Sequence, residues 1–564
     1  MPVVRRLLVF LSNLLALLVL VALLAGAGWG AWQLLPESSR SVLRDPGGAA
    51  AAAQRGASRG PANPFTDLIG WLREWFAERR DLVDRVHSAD GTTGGIEPLP
   101  AWTSTAERRV FGTTETLWQS RRGKLSGARW SRLVFSWADI QPRGARDWRA
   151  GHYLRDDLIR RERGNGIELV GLLMSTPSWA ASRPQDGVRA VPAGLYRPVD
   201  DPQNAWAVFV RRMAAEYRGR IDTWIIWNEP DIRPGGPNAQ YFSWAGDERD
   251  YAQLLKVASL AAKRGNPGAR IVFASTTYWA DQNAGNPLFL ERVLSVLAED
   301  PEARAAGYYF DVVGLNLYSS PDDLYRVAGI YREVLSRYGS SAPLWLTETN
   351  AVPYDDPTSG LRREPNGLRV TMEEQASFIV QAFAMGLAGG YERLAFHSLV
   401  DRNTDDELWG LVRNDGSLRP AFVAYQTATR YFDGVWRATF AGRERAEWRW
   451  HRGGFVPNWQ IYQVVLDRET PAQGSQRVTV LWNGDATPVE VTVPRLSETA
   501  VLVDKYGRPQ PLVAEGDRWR ITLAGATAHS PLDPEGFYFV GGAPLLLVED
   551  GVAPDTPISP PTLA

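Results

Sequence analysis

Ile221-Asp-Thr-Trp-Ile-Ile-Trp-Asn-Glu-Pro-Asp231 is the stretch whose reading decides the fold. Its first half is apolar and β-branched, which predicts a short buried strand. Asn228-Glu229-Pro230 ends it, because proline has no N–H to give to a sheet ladder. A carboxylate therefore stands at the C-terminal tip of a buried strand. In a parallel α/β barrel that tip is where chemistry is done. A second run, Pro343-Leu-Trp-Leu-Thr-Glu-Thr-Asn350, has the same design and ends on Glu348. The two glutamates read as a catalytic pair.

Outward from these runs, strand-like and helix-like segments alternate. The strand-like runs are Arg109–Thr114, Trp130–Ser136, Ile167–Ser175, Thr223–Asn228, Arg270–Thr276, Phe310–Tyr318, Leu344–Thr347 and Arg393–Ser398. Helical spacing is clearest at Ala205–Tyr217, Tyr251–Lys263 and Thr371–Leu387, and Pro420–Phe432 closes the set. Eight strands alternating with helices over residues 100–434 predict a closed (β/α)8 TIM barrel. After Gly434 the helical period vanishes. Short strands separated by turn dipeptides such as Asn483-Gly484 predict a β-sandwich domain over 435–550. The last residues, 551–564, are Pro-rich and read as disordered.

The N-terminus carries Arg5 and Arg6 before an apolar run from Leu7 to about Ala25, long enough to span a bilayer. The arginines place the start in the cytoplasm and the remaining chain outside, with Trp29 and Trp32 near the outer interface. Residues 1–36 are read as a transmembrane anchor. The rival is a cleaved signal peptide with Ala25-Gly-Ala27 as its cleavage site, which would make the protein secreted. Residues 37–99 form a linker rich in Ala, Gly, Ser and Pro with one amphipathic helix, Thr66 to Val86.

Composition excludes several classes. A formal net charge of −2 gives no basic surface for nucleic acid. The absence of cysteine removes disulfides, thiolate catalysis and thiolate metal sites. Five scattered histidines show no ligand spacing, so neither a metal nor a cofactor is expected. The 23 tryptophans lean towards carbohydrate, whose clefts use flat aromatic faces.

Two carboxyl groups on opposite sides of a bond suit glycoside hydrolysis. One protonates the leaving oxygen and the other attacks the anomeric carbon or activates water. Glu229 and Glu348 end the fourth and seventh strands, which face each other across an eight-stranded barrel. Trp227-Asn228-Glu229-Pro230 and Thr347-Glu348 resemble the acid/base and nucleophile motifs of the clan A glycoside hydrolases. Gly127-Ala-Arg-Trp-Ser-Arg132-Leu-Val-Phe-Ser-Trp137 is similar to the second strand of that clan. The resemblance covers residues 100–435 and implies a retaining (β/α)8 enzyme. It implies Glu229 as acid/base, Glu348 as nucleophile, Arg132 beside the nucleophile, Asn228 on the sugar 2-hydroxyl and Tyr318 orienting Glu348. The nearest types are families 39 and 5. The following β-sandwich fits family 39 better.

Other residues have two readings. Asn316 shares a face with Tyr318 at i, i+2 spacing, either lining the site or packing in the core. Trp137, Trp179, Trp279 and Trp409 lie at or after strand ends, as sugar platforms or as packing. His397 on the eighth strand is read as an ordinary barrel histidine. Asp401, Asp405, Asp406 and Glu407 are read as a solvated loop, since they lack the spacing of a Ca²⁺ loop. The expected function is a membrane-anchored glycosidase acting on a polysaccharide or oligosaccharide outside the cytoplasm. The alternatives are a transglycosylase using the same residues and a non-catalytic polysaccharide-binding protein.

Overall fold

The computed structural model describes Leu99 and residues 108–564, apart from 236–238, 359–368, 402–407, 445–448, 452–453, 457–458, 472–473 and 530–537. The apolar N-terminal run, the linker and its amphipathic helix lie outside the described residues, save Leu99. No helix among the described residues is long and apolar enough to cross a membrane.

Eight parallel strands close into a barrel. They are β1 (Phe111–Thr114), β2 (Trp130–Ser136), β3 (Glu168–Met174), β4 (Thr223–Ile226), β5 (Arg270–Thr276), β6 (Val312–Asn316), β7 (Leu344–Glu348) and β8 (Arg393–Phe396). Each is followed by a helix: α1 (Ser120–Ser126), α2 (Asp156–Gly164), α3 (Ala205–Glu216), α4 (Glu248–Gly265), α5 (Phe289–Leu297), α6 (Pro321–Arg337), α7 (Met372–Ala388) and α8 (Pro420–Tyr431). The order round the barrel is β1-β8-β7-β6-β5-β4-β3-β2.

Alternation along the strands fills the lumen in layers, as expected where every second side chain points inward. The lower layer is apolar: Trp130, Val170, Leu172, Ile225, Val272, Val312, Trp345 and Ala395 are buried together. The Trp130 and Trp345 rings lie 5.6 Å apart, and the Arg393 guanidinium sits over both, 5.6 Å and 4.3 Å from their centroids. Arg393 in turn is paired with Glu168 at 2.9 Å, so this half-buried cation is not left alone. Towards the C-terminal ends the lumen becomes polar, with Arg132, Asn316, Thr347 and Ser275. The barrel thus has an apolar floor and a hydrogen-bonding mouth.

The fourth strand ends earlier than the sequence indicates. Thr223–Ile226 is the ladder, and Trp227 then turns into the left-handed region with φ 72°. The left-handed backbone at Trp227, rather than Pro230, stops the strand. The Trp227 indole N–H donates to Ser243 O at 3.0 Å, and its ring lies edge-on to Trp244 at 4.9 Å. Burial of that large side chain offsets the backbone cost of about 1–3 kcal/mol.

Two larger antiparallel sheets follow the barrel, with two short hairpin pairs, Arg449–His451 with Gly454–Val456 and Ala528–His529 with Tyr538–Val540. One contains Val435–Phe440, Trp459–Thr470, Gly474–Asn483, Leu545–Asp550 and Ala500–Asp504. The other has the order Val513–Glu515, Arg518–Leu523, Val489–Pro494 and Thr562–Leu563. Ile461, Leu481, Val491, Val493, Leu502, Trp519, Ile521, Leu523 and Leu547 form a core drawn from both sheets.

The Pro-rich tail is not the disordered end that composition implies. Thr562–Leu563 adds the edge strand beside Val489–Pro494. Prolines give no N–H to a ladder, but the carbonyls along such a segment still accept. Arg477 donates to Thr556 O at 2.9 Å and Pro557 O at 3.3 Å, and Gln463 to Ser559 O at 2.9 Å.

Behind the mouth, Arg419 is fully buried between Asp356 at 2.6 Å and Asp401 at 2.8 Å, with Arg413 also on Asp356 at 2.8 Å. Replacing Arg419 by Ala leaves two buried carboxylates short of a cation. This should cost about 3–5 kcal/mol of stability, read as a lower urea midpoint at unchanged slope.

Candidate active site

The mouth is built by side chains from within β2 and from the ends of β4, β6, β7 and β8 or just past them. Glu348 closes β7, and its Oε1 is ion-paired with Arg132 Nη1 from β2. Both side chains are nearly excluded from solvent, at 9 % and 6 % exposure. The Tyr318 hydroxyl, two residues past β6, donates to Glu348 Oε2 at 2.5 Å. Arg132 Nη1 also reaches Asn228 Oδ1 at 3.4 Å, so one guanidinium bridges the end of β4 to the end of β7.

Glu229 is held from β6. Asn316 Nδ2 donates to Glu229 Oε1 at 2.7 Å and to Asn228 Oδ1 at 3.3 Å. Asn316 is itself oriented by Thr347, whose hydroxyl donates to Asn316 Oδ1 at 2.8 Å and also contacts Ser275 Oγ at 2.8 Å. Glu229 has φ 49°, and its N–H donates to Ser275 O at 2.9 Å. Behind it, the Ser243 hydroxyl donates to Asn228 O at 2.5 Å. Two left-handed residues separated by Asn228 aim the carboxyl across the mouth instead of along the strand.

The two glutamates carry opposite charge states. Burial and the nearby Glu348 charge push the Glu229 carboxyl up to about 8, against the pull of Asn316. Burial also pushes Glu348 up, but Arg132, His397 and the Tyr318 hydrogen bond together hold it below the ordinary glutamate range. Burial and the Glu348 charge keep the Tyr318 phenol protonated, so it remains a donor. At neutral pH the site therefore holds one protonated and one ionised carboxyl, the arrangement required of an acid and a nucleophile.

Most of the sequence-derived set converges here: Glu229, Glu348, Asn228, Arg132, Tyr318 and Asn316. The tryptophans divide. Trp409 belongs to the site, half-buried with its ring edge-on to Tyr318 at 5.1 Å. Trp137 is fully buried, stacked on Phe209 at 5.0 Å, with its N–H on Gln141 at 2.7 Å. A ring with no exposed surface cannot be a sugar platform, and that reading of Trp137 is corrected to core. Trp279 is 8 % exposed, edge-on to Tyr278 with Arg326 over its ring, and is likewise packing. Trp179 is half-buried, donates to Gln141 O at 2.6 Å and lies edge-on to Trp137 at 5.9 Å.

His397 is more than an ordinary barrel histidine. Its Nδ1 is 3.0 Å from Thr114 Oγ1, its ring lies against Tyr318 and Trp409, and its field acts on Glu348. Its place at the end of a barrel strand is the signal that could have identified it. Asp401 is engaged by Arg419, and residues 405–407 lie outside the described residues. A cavity of about 870 Å³ lies between the loops after β3 and β4, lined by Tyr196, Arg183, Arg197 and Arg233. Its wall at Ala245 and Gly246 continues the segment that braces Asn228 through Ser243.

Comparison with known proteins bears on the fold. No family model and no curated protein matches the chain. Among solved structures, a family 39 glycoside hydrolase from Bacteroides cellulosilyticus WH2 superposes with a TM-score of 0.53 at 15 % identity, covering 78 % of this chain and 81 % of that one. A GH30 endoxylanase from Clostridium papyrosolvens gives 0.47 at 12 % identity, over 79 % and 98 % of the two chains. A family 51 α-L-arabinofuranosidase from Bifidobacterium longum gives 0.48 at 16 %, over 80 % and 98 %. The last two superpose too loosely to add to the argument. The chain is therefore similar in fold to a family 39 glycoside hydrolase, and at this identity the likeness is one of fold alone.

Proposed function

We propose that the protein is a retaining glycoside hydrolase that cleaves O-glycosidic bonds of a polysaccharide or oligosaccharide by double displacement. The observation that carries this reading is the pair itself. A buried glutamate is kept ionised by Arg132 and Tyr318, and faces a second glutamate that burial and repulsion keep protonated. A (β/α)8 barrel with this pair at its mouth supports it further. The double displacement rests on the sequence resemblance to the clan A enzymes.

In the first step the Glu348 carboxylate attacks the anomeric carbon. The bond to the leaving oxygen breaks and Glu229 delivers its proton to that oxygen. In the second step Glu229, now ionised, takes a proton from water. The water oxygen bonds to the anomeric carbon as the bond to Glu348 breaks, restoring both carboxyls. Asn228 uses its amide oxygen to accept from Arg132 and Asn316, which leaves its NH₂ for the sugar 2-hydroxyl. Transglycosylation differs only in which acceptor resolves the covalent intermediate. A purely binding role does not explain the opposed charge states of the pair.

The place of action we propose is outside the cytoplasm, held by the apolar N-terminal run. The support is the length of that run and the arginines before it.

Glu348→Gly should lower kcat by about ten thousand- to a millionfold, and added azide should restore turnover by forming a glycosyl azide. Glu229→Ala should lower it by roughly a hundred- to ten thousandfold, least for substrates with good leaving groups. Wild-type turnover in both variants on a confirmed substrate would overturn the assignment.

The pH profile of kcat/KM should be bell-shaped. Glu348 must be ionised and its affinity for protons is lowered, so activity is lost only below the ordinary glutamate range. Glu229 must be protonated, so activity is lost as pH rises through about 8. Full-length protein should stay with membranes through an alkaline carbonate wash, whereas a chain beginning at Leu99 should be released.

A further inference from the structure

The chemistry above leaves one buried carboxyl at the mouth without a task. Asp231 is 1 % exposed and lies two residues beyond Glu229. Its Oδ2 accepts the Thr277 N–H at 2.8 Å and the Thr277 hydroxyl at 2.7 Å. Its Oδ1 is buried and has no hydrogen-bond partner among the described residues. A carboxylate placed this way costs free energy, since burial without full hydrogen bonding is unfavourable. A neutral acceptor would have satisfied Thr277 equally well.

Two features of the surroundings give it a use. The first is the backbone it fastens. Trp227 and Glu229 are both left-handed, at φ 72° and 49°, each costing about 1–3 kcal/mol. The turn closes by Ile232 N–H donating to Glu229 O at 3.3 Å. Asp231 then laces that turn to Thr277 just after β5, while Glu229 N–H is held by Ser275 in β5. The side-chain clamp and the backbone bond thus fix the proton donor to one neighbouring strand.

The second is charge. From the segment after β5, Asp231 is faced by Thr277 and Asp281. Asp281 is paired with Arg292 of α5 at 2.8 Å and with the Phe289 N–H at 2.6 Å. From α4 it is faced by Tyr251, whose hydroxyl donates to Ile226 O at 2.8 Å. From α6 it is faced by Tyr331, whose hydroxyl contacts Thr276 at 2.8 Å. Both phenols are neutral. On its own turn it acts on Glu229.

We infer that Asp231 is a positioning residue for the proton donor, clamping the left-handed turn that aims Glu229 and supplying the negative charge that keeps the donor's proton in place. Burial, opposed by Thr277 and reinforced by Asp281, pushes Asp231 up to about 6, so it is ionised before Glu229 releases its proton. Deprotonating Glu229 would then set a third negative charge beside Asp231 and Glu348. The inference rests on the acid/base assignment of Glu229.

Asp231→Asn separates charge from clamp. The amide oxygen can still accept both Thr277 bonds, and the NH₂ takes the place of the oxygen that has no partner. Two readouts distinguish this inference from the reading it rests on. The first needs no substrate: a ¹³C NMR titration of glutamate side-chain carboxyls in the solubilised full chain, with the Glu229 signal identified by its loss in Glu229→Gln. The Glu229 midpoint should move to lower pH by roughly half a unit or more in Asp231→Asn. The second is the alkaline limb of kcat/KM, which should move in the same direction, while Asp231→Ala also lowers kcat across the whole range. An unmoved Glu229 midpoint in a folded Asp231→Asn variant overturns the inference even if azide rescues Glu348→Gly. A shifted midpoint with no rescue upholds the electrostatic role and overturns the glycosidase reading.

Discussion

The Arg132–Glu348 ion pair is the interaction on which the mouth depends. A carboxylate in a nearly water-free site would ordinarily take up a proton, and a guanidinium there would lack compensation. Each makes the other tolerable, and the pair reaches further than its own two groups. Through Nη1, Arg132 also touches Asn228, so the ends of β4 and β7 are referenced to the same cation. The charge retained on Glu348 then acts on Glu229, which stays protonated because a neighbour already holds a negative charge. Tyr318 completes the cage as a donor whose own proton is secured by burial and by that same carboxylate. Buried pairs of this kind are weak evidence for stability. Here the pair sets charge states, which an apolar replacement could not do.

Much of the barrel was legible in the chain because two signals agreed. Strand runs recurred with helical periods between them, and glutamates stood at the tips of the fourth and seventh. What was not legible was conformational. Nothing in Trp227-Asn228-Glu229 announces two left-handed residues, since neither Trp nor Glu favours that region. Reading Pro230 as the stop placed the end of β4 two residues late. The tail misled for a related reason. Proline content argues against a ladder, but it says nothing about carbonyls, and the arginines that capture them lie far back in the sequence at 437 and 477.

The site shows the same division. Glu229, Glu348, Asn228, Arg132, Asn316 and Tyr318 are legible, because their places on or just after strands two, four, six and seven fix where they point. Aromatic residues were read poorly. Trp137 and Trp409 look alike in sequence, since both follow a barrel strand, Trp137 directly and Trp409 in the loop after β8. One is enclosed by Phe209, Trp206 and Trp179, and the other lies against Tyr318. The difference is made by α3 packing over the first, which is tertiary information. Asp231 is hidden in the sequence, because an aspartate after a proline reads as a turn residue. Its burial becomes visible only once Thr277 is beside it.

The floor of the barrel has a consequence for traffic. Trp130 and Trp345 fill the lower lumen, with Arg393 laid across them and anchored to Glu168. With that end filled, everything that enters the lumen or leaves it shares one doorway. In the proposed reaction, a departing group must clear the mouth before a water or a second acceptor can take the vacated position. The competition between those two arrivals is then decided by the loops around the doorway and by local concentration. Evolution could retune the outcome by editing those loops, leaving the strands and their charges as they are.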